Sequence, residues 1–361
     1  MRFKAVIGCG FGDEGKGMTV DYLCSQSPEA LVVRFNGGHQ AGHTVVTDQT
    51  RHVFSNLGSG TLRGIPTYWS KNCTVEPFGL LNELSILLTK CKEPKLYIDA
   101  ECPITTPYDI KNNRFLEFKN NHGSCGVGFG ETINRENAFY SLKFLDLFYP
   151  NVLETKLSAI KTYYKSKQDY DKFFTICQEL ASCEHVQLVF NRPNAGTYIF
   201  EGAQGLLLDQ HYGFFPNVTR SNCGSANLPN ENFEYFLVTR AYQTRHGNGF
   251  MTNTNIPQNI LFNPDETNLT HPYQGVFRRA ILDVDLLEYA IKKDKYIRES
   301  AHKNLVISCI DHLQEYKYTY KGNLKEFKNK ESFIESIGEV LNIKKLFFNE
   351  NSNSKYMQKV M

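Results

Sequence analysis

An α/β fold built on a large, mostly parallel twisted sheet, with a P-loop-like phosphate loop after the first strand, is the class this sequence predicts. Three observations carry that reading. Residues 3–9 (FKAVIGC) form a short apolar run bounded by glycines, the pattern of a parallel strand buried on both faces. A Gly-rich turn follows at once and opens a helix over about residues 14–25. A second apolar run at 31–35 then completes strand, loop, helix, strand.

Composition sets the outer limits. With 361 residues, 41% hydrophobic and 22% charged, the chain buries a sizeable core, which excludes a disordered protein. The length admits two or three domains or one large α/β unit. Forty Lys and Arg against 38 Asp and Glu leave a net charge of +2, so no overall field favours nucleic acid or an anionic membrane as a partner. No apolar stretch approaches the roughly 18 to 20 residues of a membrane span, and Met1-Arg2-Phe3-Lys4 runs straight into the first strand. The expected compartment is therefore cytoplasmic, or the host cytoplasm for a phage-encoded chain. The 10 cysteines are scattered without a CxxC pair and read as reduced core residues.

Further strands are predicted near 67–75, 95–100, 197–201 and 304–311, and the clearest helices at 76–91 and 283–293. Residues 138–192, with Lys, Tyr, Phe and Leu at helical spacing, read as a peripheral helical subregion. The C-terminal region offers a strand (EYKYTYKG), a helix (SFIESIGEVL) and a polar Asn/Ser tail.

Four clusters carry chemistry. The first is Gly10-Phe11-Gly12-Asp13-Glu14-Gly15-Lys16-Gly17. As G-x-x-x-x-G-K it supplies Gly10, Gly15 and Lys16, but Gly17 stands where a Walker loop has its Mg²⁺-holding Ser or Thr, which leaves Asp13 as the hard oxygen ligand. As G-x-G-x-x-G the same loop is a dinucleotide fingerprint. Arg34 would then meet an NADP phosphate, so an oxidoreductase stands as an alternative. The second cluster, residues 36–44 (NGGHQAGHT), follows the second strand and places His39 and His43 where open α/β sheets bind ligands. The third, residues 123–130 (GSCGVGFG), has the glycines to wrap an anion with backbone amides. The fourth, residues 200–205 (FEGAQG), leaves a strand and offers Gln204, whose amide can read a purine edge.

The order GFGDEGKG, NGGHQAGHTV, GSCGVGFG and FEGAQGLLLD, with Pro216 and Thr219 downstream, resembles the adenylosuccinate synthetase family. The resemblance implies one α/β domain over 1–361, usually a homodimer, joining L-aspartate to C6 of the purine nucleoside monophosphate IMP with an NTP and Mg²⁺. On the matching positions it implies Asp13 as the base for the N1 proton and as a Mg²⁺ ligand with the carbonyl of Gly42. Gly12, Gly15, Lys16 and Gly17 cradle the donor phosphates, with Gly42 and Thr44 beside them. His43 is the acid at the leaving β-phosphate and Gln204 steadies O6. Gln40, Ser124, Cys125 and Thr219 hold the acceptor nucleotide.

Departures cluster. Gln40 replaces an Asn, and Cys125 replaces a Thr and is a weaker donor. The Arg-rich aspartate segment is reduced to Arg278-Arg279, of which Arg278 is favoured for the substrate carboxylate. Cys309-Ile310-Asp311 stands for Lys-Leu-Asp at the donor base, which keeps Asp311, and the family's closing loop has no clear equivalent in the tail. The donor is therefore ATP or GTP. The chain is also short, like archaeal and bacteriophage members. That leaves a phage-type ligase acting on dGMP or GMP toward 2-aminoadenine DNA as the alternative, although the retained Asp13 favours IMP. A non-catalytic nucleotide-binding regulator is the remaining alternative. It has no need of Asp13 or His43.

Overall fold

The computed structural model describes residues 1–91, 93–120, 122–169, 171–261 and 273–360. The predicted opening is present as β1 (Arg2–Gly8), α1 (Lys16–Ser25) and β2 (Ala30–Arg34). A hairpin of β3 (His43–Val46) and β4 (Arg51–Phe54) precedes β5 (Thr67–Trp69), α2 (Pro77–Leu87), β6 (Leu96–Asp99), α3 (Pro107–Asn120) and α4 (Phe129–Asn137). After α5 (Pro150–Tyr163) and α6 (Asp171–Ala181) come β7 (Val186–Val189), β8 (Thr197–Gly205), β9 (Phe233–Arg240), β10 (Tyr242–His246) and β11 (Phe277–Asp283). The chain closes with α7 (Val284–Lys293), α8 (Lys295–Glu299), β12 (Lys303–Ser308), β13 (Tyr316–Tyr320), β14 (Asn323–Phe327), α9 (Lys330–Leu341), β15 (Lys345–Phe348) and β16 (Gln358–Lys359).

Among the described residues the main sheet has ten strands in the order β16-β15-β12-β9-β1-β8-β2-β5-β6-β7. Every neighbouring pair is parallel except β15 with β16. β1 reads as continuous apolar sequence because both its faces are covered. Ile7 packs with Phe200, Leu237 and Leu305 on one side. Its neighbour Val6 packs with Val20, Val32 and Val306 on the other.

The helices expected within 138–192 are α5 and α6, which pack Leu153 and Phe173 against Trp69 and Ile98. Residues 186–189 depart from that expectation and form the edge strand β7, paired with β6. β9 is the central strand the apolar pattern did not disclose. Its segment (FEYFLVTR) mixes charged residues with aromatics, yet it lies between β1 and β12 with most of its side chains buried. A smaller sheet, β10-β11-β13-β14, stands beside the C-terminal ends of these strands.

One buried carboxylate fixes the chain between β4 and β5. Glu83 of α2 accepts the amides of Ser55, Asn56 and Leu57 at 3.1, 2.7 and 3.1 Å. Glu83→Ala strands those three donors in the interior. A loss of about 3 kcal/mol of unfolding free energy is expected in denaturant titrations, against under about 0.5 kcal/mol for a surface glutamate.

Candidate active site

The loops leaving β1, β2, β8 and β12 open onto one cleft of about 1330 Å³. This is the position an open α/β sheet reserves for ligands. Its floor is the β1–α1 loop. Gly15 adopts φ 92° and ends the loop, and α1 begins at Lys16 with no side chain capping its first turn. The orphan amides of that turn, with the positive end of the helix dipole, form an anion site. Gly17 has a different reason to be glycine. A Cβ there would lie 2.8 Å from the Cβ of His43 and 3.0 Å from Ser59 Oγ, so the residue that replaces the Walker hydroxyl lets β3 lie against the helix.

Inside the loop sits Glu14, which the spacing of the motif did not single out. Its carboxylate accepts the amides of Gly10 and Gly12 at 2.7 and 3.1 Å and forms a buried ion pair with Lys16 Nζ at 2.8 Å. Asp13 points the other way and lines the cleft, its Oδ2 3.4 Å from His246 Nε2. Arg240 fixes that turn from below by donating Nε to the Asp13 carbonyl at 2.5 Å. Asp13, Gln204 and Cys309 are all non-glycine residues with φ near +60°, and all three line the cleft. Such backbone strain collects at functional sites.

His43 enters from β3. Its Nδ1 lies 2.6 Å from Glu201 Oε1, and Ser59 donates both its amide, at 3.0 Å, and its hydroxyl to the same carboxylate. Nε2 is the polar atom left for a ligand. Burial pushes the imidazole below its ordinary pKa against the pull of Glu201. Burial alone would raise Glu201, yet the facing His43, with Arg34 and Ser59, draws its pKa down to about 2. His39 behaves differently. It lies between this cleft and a second cavity of about 670 Å³, and burial draws its pKa to about 4, so it stays neutral.

The other predicted residues divide. Gly12, Lys16, Gln40, Gly42, Thr44, Ser124, Cys125, Gln204, Thr219 and Asp311 all line the cleft. Both amide atoms of Gln40 are buried without a hydrogen-bond partner among the described residues, the condition of a side chain awaiting a ligand. The Gly-rich segment at 123–130 is only in part an anion nest, because Glu117 already takes the amides of Gly123 and Ser124 at 2.5 and 3.0 Å. The open anion site there is the start of α4, which follows Gly128 without a side-chain cap. Burial pushes the Cys125 thiol up to about 11, so it remains protonated.

Arg278 and Arg279 are not among the lining residues. Arg278 donates to the Gly249 carbonyl at 2.9 Å, and Arg279 lies over the Phe277 ring. The cleft is instead supplied with Arg220, Arg240 and Arg245, none of them singled out by a motif. Arg34 is fully buried and closed to a cofactor phosphate, which removes the basis of the NADP reading. The tail also departs from expectation. Asn349 accepts the Ile310 amide at 3.4 Å, and Asn351 and Ser352 line the cleft together with Cys309 and Asp311.

Residues 5–344 match the adenylosuccinate synthetase family. The chain belongs to that family. It is 35% identical over 280 residues to the adenylosuccinate synthetase of Nitrosomonas eutropha, covering 69% of this chain and 64% of that one. The Neisseria gonorrhoeae adenylosuccinate synthetase is 33% identical over 274 residues, covering 68% and 63%. The matched stretch thus spans less than two thirds of these relatives' length. The fold is also that of the fully ligated Plasmodium falciparum adenylosuccinate synthetase, with a TM-score of 0.76 at 18% identity over 99% of both chains. A cyanophage S-2L succinoaminodeoxyadenylate synthetase bound to dGMP and dATP superposes with a TM-score of 0.66 at 14% identity, covering 99% of this chain and 95% of that one.

The depressed pKa of Glu201 has a measurable sign. Its ionised form stabilises the fold in full above pH about 4.5 and ceases to do so as pH falls toward about 2. The stability difference between the wild type and Glu201→Gln, measured by urea unfolding from pH 7 to 2, should therefore be constant above about 4.5 and shrink below it. A difference independent of pH contradicts the assignment.

Proposed function

We propose that this chain joins L-aspartate to C6 of a purine nucleoside monophosphate, IMP first, with cleavage of an NTP to NDP and a phosphate that carries off O6. The carrying observation is that Asp13, Lys16, Gln204 and a His43 backed by Glu201 all face one cleft. Asp13 takes the N1 proton and O6 attacks the γ-phosphorus. The bond from that phosphorus to the β-phosphate oxygen breaks, and NDP leaves. His43, as the imidazolium with Nδ1–H held by the Glu201 carboxylate and the incoming phosphate charge offsetting its burial, donates from Nε2 to the departing β-phosphate. Gln204 donates to O6, and Lys16 with the start of α1 holds the phosphate charge. The aspartate amine then adds at C6 and the phosphate carrying O6 departs.

Mg²⁺ fits the donor set. No group of three or more His, Cys, Asp or Glu side chains among the described residues forms a cage, and an ion held by Asp13, the Gly42 carbonyl and nucleotide oxygens needs none. When bound, it neutralises charge on the transferred phosphoryl group.

The start of α4, with Ser124, Gln40 and Thr219, suits the acceptor 5′-phosphate. For the substrate carboxylates Arg278, whose Nε has no partner among the described residues, remains the candidate beside Arg220, because the Arg245 guanidinium is already bonded to the carbonyls of Asn217, Asn248 and Phe250. A homodimer belongs to the same reading. Phe115 and Phe118 are exposed on α3, whose other residues Asn113 and Glu117 line the cleft. The second reading, dGMP as acceptor, is favoured by the likeness to the cyanophage enzyme with dGMP and dATP bound.

The test is aspartate-dependent ligation with IMP, GMP or dGMP as acceptor and GTP, ATP or dATP as donor. IMP is expected to turn over best. Asp311 is 40% exposed and its carboxylate accepts from the amino group of either base, so ATP should support turnover at least as well as GTP. Asp13→Ala should lower kcat by about 10² to 10⁴-fold with the fold intact by circular dichroism. Ligation persisting at the wild-type rate in that variant contradicts the mechanism.

A further inference from the structure

Arg34 is fully buried at the end of β2, and most of its hydrogen-bonding capacity is unmet among the described residues. Its one hydrogen bond runs from Nη1 to the Leu57 carbonyl at 3.4 Å, and Nε and Nη2 have no partner among the described residues. Its guanidinium lies 4.9 Å over the Trp69 ring. A charge held this way is costly to bury, and one aromatic face offsets only part of that cost. The register supplies the missing counter-charge. Arg34 is the direct neighbour of Glu201 across the parallel β2–β8 pair, and matched positions of neighbouring strands present their side chains to the same face of the sheet. The turn at 57–59 touches both, with Leu57 on Arg34 and Ser59 on Glu201.

We infer that Arg34 is a positioning residue of the reaction, whose fixed charge holds Glu201 as the carboxylate that pins Nδ1 of His43 and so aims Nε2 at the leaving phosphate. The inference rests on the ligase reading given above. It requires a charge at position 34 and not a particular shape. It also requires that the charge act through Glu201, because a neutral residue at 201 leaves Arg34 nothing to hold.

The experiment is a double-mutant cycle with Arg34→Met, Arg34→Lys, Glu201→Gln and the Arg34→Met/Glu201→Gln pair, each checked by thermal unfolding. Arg34→Met should lower kcat at least about tenfold with KM values for all three substrates within about twofold, and Arg34→Lys should restore most of the loss. In the Glu201→Gln background Arg34→Met should cost less than about twofold more. The double variant keeps the comparison available if Arg34→Met does not fold, since it must then match Glu201→Gln. Independently of turnover, the downfield proton resonance of His43 Nδ1 should be present in the wild type and Arg34→Lys and lost in Arg34→Met. Additive losses, an unaltered resonance in Arg34→Met, or an Arg34→Lys no better than Arg34→Met overturn the inference. A wild type that shows the resonance without ligation overturns the ligase reading instead.

Discussion

The carboxylate of Glu201 is the constraint on which the geometry of this cleft turns. It has no solvent exposure, it stands on β8 between β1 and β2, and it is met by His43 from β3 and by both donors of Ser59. A buried carboxylate is tolerated only when such partners surround it, and each partner is thereby fixed in return. His43 cannot rotate without abandoning the charge, and the turn carrying Ser59 is tied in place by Glu83 a few residues earlier. The packing of α1 against β3 at Gly17 then sets the phosphate loop relative to the imidazole. Stability and chemistry draw on the same contacts here.

A second internal carboxylate, Glu14, plays the matching part inside the phosphate loop. By taking the amides of Gly10 and Gly12 and one proton of Lys16, it keeps the loop shaped without a ligand. It also leaves the uncapped start of α1 as the part of the loop open to an incoming phosphate. Glu117 does the same for the segment at Gly123 and Ser124. The cleft is thus lined by anion-binding backbone whose own anions sit behind it.

How much of this was legible in the sequence follows from the range of each interaction. The first strand, loop and helix could be read because apolar periodicity and a Gly-rich turn are local signals, and the motif residues before and after them were found in one cleft. Glu201 lay inside a quoted motif, but its role depends on a contact 158 residues away that no spacing announces. β9 was hidden because its pattern of aromatics and charges matches neither a buried nor an alternating strand. Arg278 and Arg279 were drawn from a motif position. Register sets Arg278 opposite Arg245 on β10, and of the two only Arg245 lines the cleft. The tail carried no apolar pattern, yet chains of Asn side-chain hydrogen bonds, such as Asn351 to Asn349 at 3.0 Å and Asn353 to Asn351 at 2.9 Å, fold it into the cleft wall.

In the proposed reaction O6 of the acceptor is phosphorylated before aspartate displaces it, and Asp13 and the His43–Glu201 pair would serve that first transfer. The most direct measurement follows the oxygen. IMP labelled with ¹⁸O at position 6, turned over with aspartate and an NTP, should deliver its label into the inorganic phosphate released, one atom per ligation. Label recovered in water, or phosphate released unlabelled, contradicts a 6-phosphoryl intermediate and with it the roles given to these residues.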